Sequence, residues 1–358
     1  NNQVSDGEVK FDQSGYSKTA EQANSFTAFK AVAGANTTFL GGYWDFGVTA
    51  ADDVTENFFS SADTEGTRTT TLDGAIVRNV GALYVGGTSG NDNTILLKNE
   101  AELQVNRLVL GMKNGSWQNS KVSITDGSLL HCRGWVSMND GIFANSRDLT
   151  GNELTVSGLG SRLVVDGVTY LDRPTGDGSR TGVGGNALIV SDGARASLQQ
   201  LYIHNSNYHG VSNRVTVSKN ACLETTDIKI ATEWSGANNK QDYARFEVLD
   251  GAVVTNTGNL QIGYHYLKTS HGSVSVIVSN GTFYTEKAIP PTLPLLCAEN
   301  CEIVISGSDA VFHAGRPSAD TPLFGTFATN SQVVIENGAE VTDLPVNFGF
   351  SYGNNSCT

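Results

Sequence analysis

The chain has 358 residues and a formal net charge of −13, with 39% hydrophobic residues, 16% charged residues and 40 glycines. The apolar share is large enough to build a core, which excludes wholesale disorder. The negative charge disfavours electrostatic binding to nucleic acid or to an anionic membrane. No apolar run has the length that crosses a bilayer, so we expect no direct membrane insertion. The first residue, Asn1, is typical of a mature or excised chain.

The chain divides into three predicted parts. Residues 1–33 are expected to form an N-terminal cap, in which "TAEQANSFTAFK" (residues 19–30) has the pattern of a short helix. Residues 34–350 contain the repeats described next, and residues 351–358 form a C-terminal tail.

A degenerate repeat of 26 to 33 residues occupies most of the chain. Its clearest copy is "VSDGARASLQQLYI" at residues 190–203, where Asp-Gly indicates a tight turn with positive φ. A distant copy surrounds Gly34. Stacking the other copies on the turn gives ten anchor positions: Gly74, Glu100, Gly127, Gly160, Gly193, Asn220, Gly251, Gly281, Ser308 and Gly338.

The columns around the anchor predict an all-β solenoid. The residue after the anchor is small in most copies, the third is apolar in almost all, and a further strand begins eight or nine residues on. Alternation has period 2, so each repeat is expected to hold about three short strands separated by bends. A period near 30 residues without a helical pattern indicates a single-stranded parallel β-helix, here of about 11 turns.

The repeats also resemble a known group of proteins. "NELTVSGLGSRLVVDGVTYL", "GNALIVSDGARASLQQLYIHN" and "SNRVTVSKNACLETTDIKIA" look like the repeats of autotransporter-type passenger regions and related bacterial surface β-helices. The resemblance covers roughly residues 70–350. It implies a right-handed, pectin-lyase-like parallel β-helix that is secreted to the cell surface or beyond it.

One candidate site lies on the outward columns after the turn. Arg162, Arg195 and Glu224 are expected on successive turns of the solenoid, with His131 one turn earlier. Arginines in such a row suit an acidic polysaccharide. If the protein were a lyase or a glycoside hydrolase, these four residues would be its candidate catalytic groups. A solvated ladder of surface charges is the simpler interpretation, and no cluster of neighbouring aspartates supports a hydrolase.

A second candidate site follows the third predicted strand. Its outward column contains Tyr84, Val109, Val136, Tyr170, Tyr202, Lys229 and Gln261, and Met138, Asp172 and His204 belong to the column two positions on. The loops that follow add Trp234, Tyr264 and Tyr266. Aromatic rings beside polar groups suit sugar stacking or protein contact. They equally suit cross-strand packing, because tyrosine favours strands. The ligand-binding candidates are Tyr170, Tyr202, Asp172, His204, Trp234, Tyr264 and Tyr266.

The remaining motifs are weaker. Cys297 and Cys301 are close enough in sequence for a disulfide, with two reduced thiols as the alternative. The six histidines have no zinc spacing, so no metal and no cofactor is expected, although a structural calcium ion stays an open alternative. The leading expectation is therefore a non-enzymatic, secreted or cell-surface structural protein, adhesin-like and able to form filaments. Its partners would be further copies of itself or surface glycans. The alternatives are a polysaccharide lyase or glycoside hydrolase, or a non-catalytic glycan-binding module.

Overall fold

The computed structural model describes most of the chain as strands. The described residues are 7–15, 24–30, 35–53, 55–60, 68–86, 93–111, 119–138, 151–171, 185–203, 206–207, 212–231, 241–263, 273–286, 295–296, 300–315, 322–324, 328, 330–345 and 354–358. Within these ranges there are 29 strands and no helix. The predicted all-β fold is thus confirmed for this part of the chain.

The strands form two parallel sheets that face each other, and each turn of the chain adds one main strand to both. Sheet 1 follows the order β1 (Gly7–Gln13), β4 (Ala35–Gly41), β7 (Arg68–Asp73), β9 (Asn93–Lys98), β11 (Lys121–Ile124), β13 (Glu153–Ser157), β15 (Ala187–Ser191), β18 (Asn213–Val217), β20 (Gln241–Leu249), β23 (Ser273–Ser279), β25 (Cys301–Ser306), β27 (Gln332–Glu336) and β29 (Ser356–Cys357). A two-residue strand, β17 (Ser206–Asn207), pairs antiparallel with β20.

Sheet 2 stacks in the same way. Its order is β2 (Asn24–Ser25), β5 (Tyr43–Asp45), β8 (Ile76–Val85), β10 (Glu102–Leu110), β12 (Leu129–Met138), β14 (Arg162–Leu171), β16 (Arg195–Ile203), β19 (Cys222–Ile230), β21 (Val253–Asn256), β24 (Thr282–Thr285), β26 (Val311–His313) and β28 (Glu340–Thr342). The short strands β3 (Phe29–Lys30), β6 (Glu56–Ser60) and β22 (Leu260–Ile262) pair alongside this path.

The chain is therefore a parallel β-solenoid, and the predicted fold class is confirmed. About eight turns, from β7 and β8 to β23 and β24, have strands of four or more residues in both sheets. The turns that flank them have strands of three residues or fewer in sheet 2. The regular part is thus slightly shorter than the predicted 11 turns. We call each full turn of the solenoid a rung.

The turn from sheet 1 to sheet 2 has the predicted geometry. In the "SDGA" copy, Asp192 and Gly193 have φ of 57° and 77°, and the amide of Ala194 donates to the carbonyl of Ser191. Two consecutive left-handed residues closed by this bond correspond to a type I′ turn, which favours Asp-Gly. Residues equivalent to Ala194 are fully buried, which explains the small side chains there: Ala75, Ala101, Ser128, Ser161, Ala221, Ala252 and Ala310.

Two copies were aligned one residue out of register. Val311 pairs with Thr282, so Ala310 and Gly281 occupy the small-residue column and the turn ends at Asp309, not at Ser308. Phe283 and Phe312 are therefore the buried residues, whereas Tyr284, which the apolar column three residues after the anchor predicts to be buried, is 41% exposed. A shift of one residue moves every side chain of a strand to the other face.

The bend predicted between the second and third strands of a repeat lies, in most repeats, within a single long strand of sheet 2. The predicted second and third strands of a repeat are one long strand in β8, β10, β12, β14, β16 and β19, with register shifts at the bend in several of them. Glycines allow the close stacking there, since a Cβ on Gly134 would collide with the carbonyl oxygen of Asn106 and one on Gly167 with that of Gly134. The repeat thus builds two sheets, not three.

Aromatic rings fill the interior at the N-terminal end. Phe11 stacks on Phe39 with ring centroids 5.0 Å apart, and Phe39 meets Trp44 edge-to-face at 5.3 Å. The predicted helix at residues 19–30 is wrong for its described part, because residues 24–30 contain β2 and β3. Residues 19–23 lie outside the described ranges, and the boundaries of the cap, the solenoid and the tail stay predictions.

A ladder of buried amides lies where the chain enters sheet 1. Asn152, Asn186 and Asn213 occupy equivalent positions on successive rungs and are fully buried. The Asn152 amide donates to Asn186 Oδ1 at 3.0 Å, and Asn213 Oδ1 accepts the backbone amide of Asn186 at 3.0 Å. Asn152 Oδ1 accepts the backbone amide of Ser120 at 3.1 Å. The ladder satisfies buried backbone groups that bend away from the sheet pairing.

We predict that Asn152→Ala lowers the free energy of unfolding by about 1–3 kcal/mol, because it leaves the buried amide of Ser120 without its acceptor. Urea unfolding monitored by circular dichroism measures the change. Asn36→Ala is the matched control, since Asn36 Oδ1 accepts the amide of Thr69 at 2.9 Å but lies in water. Equal losses in both variants would contradict a special role for the buried ladder.

Candidate functional site

The arginine candidates project from the same position of neighbouring strands. The tight turns before β14 and β16 both end in a left-handed glycine, Gly160 and Gly193, followed by one buried small residue, and the next residue is the first one to point outward. In β14 and β16 that residue is arginine, and the register pairs Arg162 with Arg195. Both side chains are exposed. Because adjacent strands lie about 4.8 Å apart, two like charges face each other across the ladder.

The charge of this arginine pair is not balanced within the part of the chain that the structure describes. Neither guanidinium forms an ion pair there, whereas Arg78 reaches Glu102 at 2.6 Å and Arg245 reaches Glu247 at 2.6 Å. Asp192, in the turn directly before Arg195, is engaged by other groups. Hydrogen bonds from Ser191 and Ser157, together with Lys219 at 3.2 Å, lower the pKa of Asp192 below its usual value.

Arg162 and Arg195 form one wall of an open groove on the outer face of sheet 2, which we call the arginine groove. Ser197 pairs with Glu224, which brings Glu224 to the next rung and into the same groove. Arg195 pairs with Cys222, a half-buried thiol. The outward residues that line the arginine groove are Arg162, Val164, Arg195, Ser197, Cys222 and Glu224.

His131 belongs to the same column as Glu224 but not to the same groove. It pairs with Val164, and three strand-to-strand spacings, about 14 Å in all, separate the backbone of His131 from that of Glu224. His131 Nε2 lies 2.8 Å from Asp166 Oδ2, a contact between β12 and the bend of β14. The structure thus brings Arg162, Arg195 and Glu224 together and places His131 apart.

The tyrosine candidates form a contact with each other. Tyr170 and Tyr202 are paired in register and meet edge-to-face with ring centroids 5.5 Å apart. Lys229 Nζ lies 4.5 Å from the centroid of the Tyr202 ring, and the Tyr202 hydroxyl donates to Gln200 at 3.1 Å. Both rings are half-buried. Asp172, His204, Trp234, Tyr264 and Tyr266 lie outside the described residues, so their predicted roles stay predictions.

Part of the predicted aromatic column was wrong. Ser137, not Val136, pairs with Tyr170 and with Val109, whereas Val136 and Met138 are buried in the core. Ser137 lies ten residues after the anchor Gly127, whereas Val109 lies nine residues after the anchor Glu100, because the bend of β12 contains one residue more.

Sequence reasoning missed two aromatic contacts on the outer face of sheet 2. The guanidinium carbon of Arg107 lies 4.0 Å from the centroid of the Trp135 ring, next to a small cluster of Ala82, Tyr84 and Val109. At the other end, Tyr284 stacks on His313 with centroids 4.5 Å apart and an angle of 8°. Arg107 and Trp135 are paired in register, but the repeat spacing places Trp135 level with Leu108, so the same one-residue error at the bend hid this contact.

The described residues give no support to a metal site and do not test the predicted disulfide. Among the described residues, no group of three or more His, Cys, Asp or Glu side chains has the arrangement of a metal site. Cys297 lies outside the described residues, so the disulfide with Cys301 stays a prediction. Cys301 itself is buried, and its backbone amide donates to Ser331 Oγ at 3.0 Å. No helix in the described ranges combines the length and the apolar character that a membrane span requires.

Comparison of the chain with protein-family models, with curated proteins and with solved structures found no match. The resemblance to autotransporter-type passengers therefore extends to the coarse fold alone, a parallel β-solenoid.

We predict that Arg195→Glu stabilises the protein at low salt by about 0.2–1 kcal/mol. The substitution places a negative charge beside Arg162, in register with it, where the wild type has a second positive charge. Thermal unfolding at two salt concentrations measures the effect, which should shrink at high salt as the charges are screened. A variant that is less stable than the wild type at low salt would show that the two charges do not interact.

We predict that native-state alkylation modifies Cys222 well before Cys132. Cys222 is half-buried on the outer face, whereas burial raises the pKa of the Cys132 thiol to about 12, so it stays protonated and enclosed at pH 8. Mass spectrometry of peptides after a short iodoacetamide pulse gives the order. Cys222→Ser serves as the control that must remove the early label. Simultaneous labelling of Cys132 would contradict the assigned faces.

Proposed function

We propose that the protein is a secreted or cell-surface structural protein, adhesin-like and non-enzymatic, whose rod self-assembles. The observation that carries this proposal is the continuity of the two sheets. Parallel pairing runs from β1 to β29 in sheet 1 and from β2 to β28 in sheet 2. Because each rung contacts only its neighbours, such an architecture makes an extended rod with a long outer surface.

The last described strand of sheet 2 supplies a means of assembly. Glu340 donates its amide to the carbonyl of Ala310, and the carbonyl of Thr342 accepts from Ala314. In a parallel ladder, alternate residues bond to opposite neighbours, so the backbone groups of Val341 point away from β26. No further strand pairs with β28 among the described residues. We propose that this side of β28 pairs with a strand of another copy, as strand edges without a partner tend to do.

A second candidate function, a non-catalytic glycan-binding module, is favoured by the arginine groove. The groove offers two cations, a hydroxyl and a carboxylate on neighbouring rungs, which suits a polar ligand lying along the solenoid axis. The two roles are compatible, since a surface rod that displays such a groove is an adhesin.

The geometry gives less support to a lyase or glycoside hydrolase. Acid–base cleavage of one bond needs both groups within hydrogen-bond reach of that bond, and paired carboxylates in hydrolases lie about 5–10 Å apart. The backbones of the candidate residues His131 and Glu224 are about 14 Å apart. Glu224 alone, with two arginines, suits binding better than cleavage.

We predict that the weight-average mass from sedimentation rises with protein concentration and that electron microscopy shows rods or filaments. Val341→Pro should reduce assembly, because it removes an outward N–H without removing a bond to β26. Val341→Ala keeps the N–H and is the matched control for the lost side chain. Assembly of the proline variant at the wild-type level would contradict edge pairing, and a monomer at all concentrations would contradict self-assembly.

The enzymatic alternative has its own test. A panel of acidic and neutral polysaccharides is incubated with the protein, and new reducing ends and the ultraviolet absorbance of unsaturated products are followed. We expect neither signal. Turnover that is lost in Glu224→Gln would overturn the non-enzymatic proposal.

A further inference from the structure

We infer that the arginine groove binds a sulfate monoester on a saccharide, held between Arg162 and Arg195. This inference rests on the proposed role as a surface-binding rod, and it names the chemical group that the groove recognises. It is carried by the register of the two arginines, the lack of a neutralising partner for them in the described structure, and the position of Glu224.

The first step concerns the electrostatic repulsion between Arg162 and Arg195. Arg162 and Arg195 face each other across a ladder, which destabilises the sheet relative to a neutral pair. Elsewhere the fold neutralises a comparable pair: Arg214 is in register with Arg245, and Glu247 Oε1 accepts from Arg245 Nε at 2.7 Å. The arginine groove has no such carboxylate within ion-pair distance in the described residues. An anionic ligand would remove the repulsion.

The second step concerns shape. A guanidinium presents parallel N–H donors that engage two oxygens of one group. The acceptor sites of a carboxylate lie close to one plane, so this group is less suited to two guanidiniums that approach from adjacent strands. A tetrahedral oxyanion has three or more terminal oxygens and can accept from both. The pair therefore favours a sulfate or phosphate group over a uronate.

The third step concerns charge. Two arginines and one glutamate leave a single net positive charge in the groove. A sulfate monoester carries one negative charge and balances it, whereas a phosphate monoester carries about 1.5 to 2 negative charges at pH 7 and would be repelled by Glu224. The hydroxyl of Ser197 and the carboxylate of Glu224 lie on the next rungs, where they can bond to sugar hydroxyl groups.

The experiment is a calorimetric titration of the full chain with a sulfated disaccharide, its desulfated form, a phosphorylated form and a uronate disaccharide at constant ionic strength. We expect binding of the sulfated form and weak or no binding of the others. Arg162→Gln and Arg195→Gln should each weaken binding about tenfold, as expected for loss of a charge-assisted bond. Arg214→Gln is the matched control, because it removes one exposed arginine from sheet 1 and should bind like the wild type.

Glu224→Gln tests the charge argument separately. It should raise the affinity for the phosphorylated disaccharide more than for the sulfated one. The inference is overturned if the wild type does not bind the sulfated disaccharide, if the uronate binds more tightly, or if Arg214→Gln loses as much affinity as Arg195→Gln. The proposed assembly edge, β28, does not include the arginine groove, so the two tests are independent. A protein that assembles but does not bind the sulfated disaccharide refutes this inference alone. A protein that binds sulfate but stays monomeric refutes self-assembly alone.

Discussion

The register between successive rungs is the constraint on which the outer surface depends. The aliphatic columns inside the solenoid are non-directional, and a slip by two residues would still bury valines and leucines. The amide ladder of Asn152, Asn186 and Asn213 does not tolerate such a slip, because each amide bonds to one specific group on the neighbouring rung. A buried amide that lost its partner would cost more than a displaced methyl group. Directional bonds inside the rod therefore determine which side chains meet outside it.

The tight turn from sheet 1 to sheet 2 provides the second part of this specification. Before both β14 and β16 it ends in a left-handed glycine, and the buried small residue that follows makes the next side chain the first to face water. Arg162 and Arg195 meet because their turns end at equivalent positions. The bonds between stacked turns, such as that from the Gly193 amide to the carbonyl of Lys219, carry this alignment from rung to rung. An exposed pair on a solenoid is thus set by backbone conformation several residues upstream.

The repeat made the fold predictable, because period-2 alternation, Asp-Gly turns and small residues each reflect a local physical requirement. It also placed Arg162, Arg195 and Glu224 on one face correctly. The errors arose where a local cue was ambiguous. "SNGTFY" and "SGSDAV" each contain two positions that could hold the last residue of the turn. Placing the anchor on the wrong one assigned the side chain of Tyr284 to the wrong face of the sheet. Bends were harder still, since the number of residues that a bend consumes depends on how closely its glycines approach the previous rung, which a single sequence does not encode. The asparagine ladder was visible as an Asn at, or directly before, the start of β13, β15 and β18, but polar residues beside strands usually lie in water.

An acidic rod that carries a local positive groove has a defined electrostatic character. With a net charge of −13, the protein repels polyanions at long range, so that recognition of an anionic group depends on contacts within about one Debye length, near 8 Å at physiological salt. Within that range the arginine pair supplies two positive charges that are spaced by the strand separation. Specificity would then depend on two short-range properties of the ligand. One is the arrangement of its oxygens around two guanidiniums, and the other is its charge, which has to balance the single positive charge that Glu224 leaves in the groove. The stacked backbone holds the Cα atoms of the two arginines at a constant spacing, so a ligand has to order only their exposed side chains, at a cost of about 0.5–1.5 kcal/mol for each.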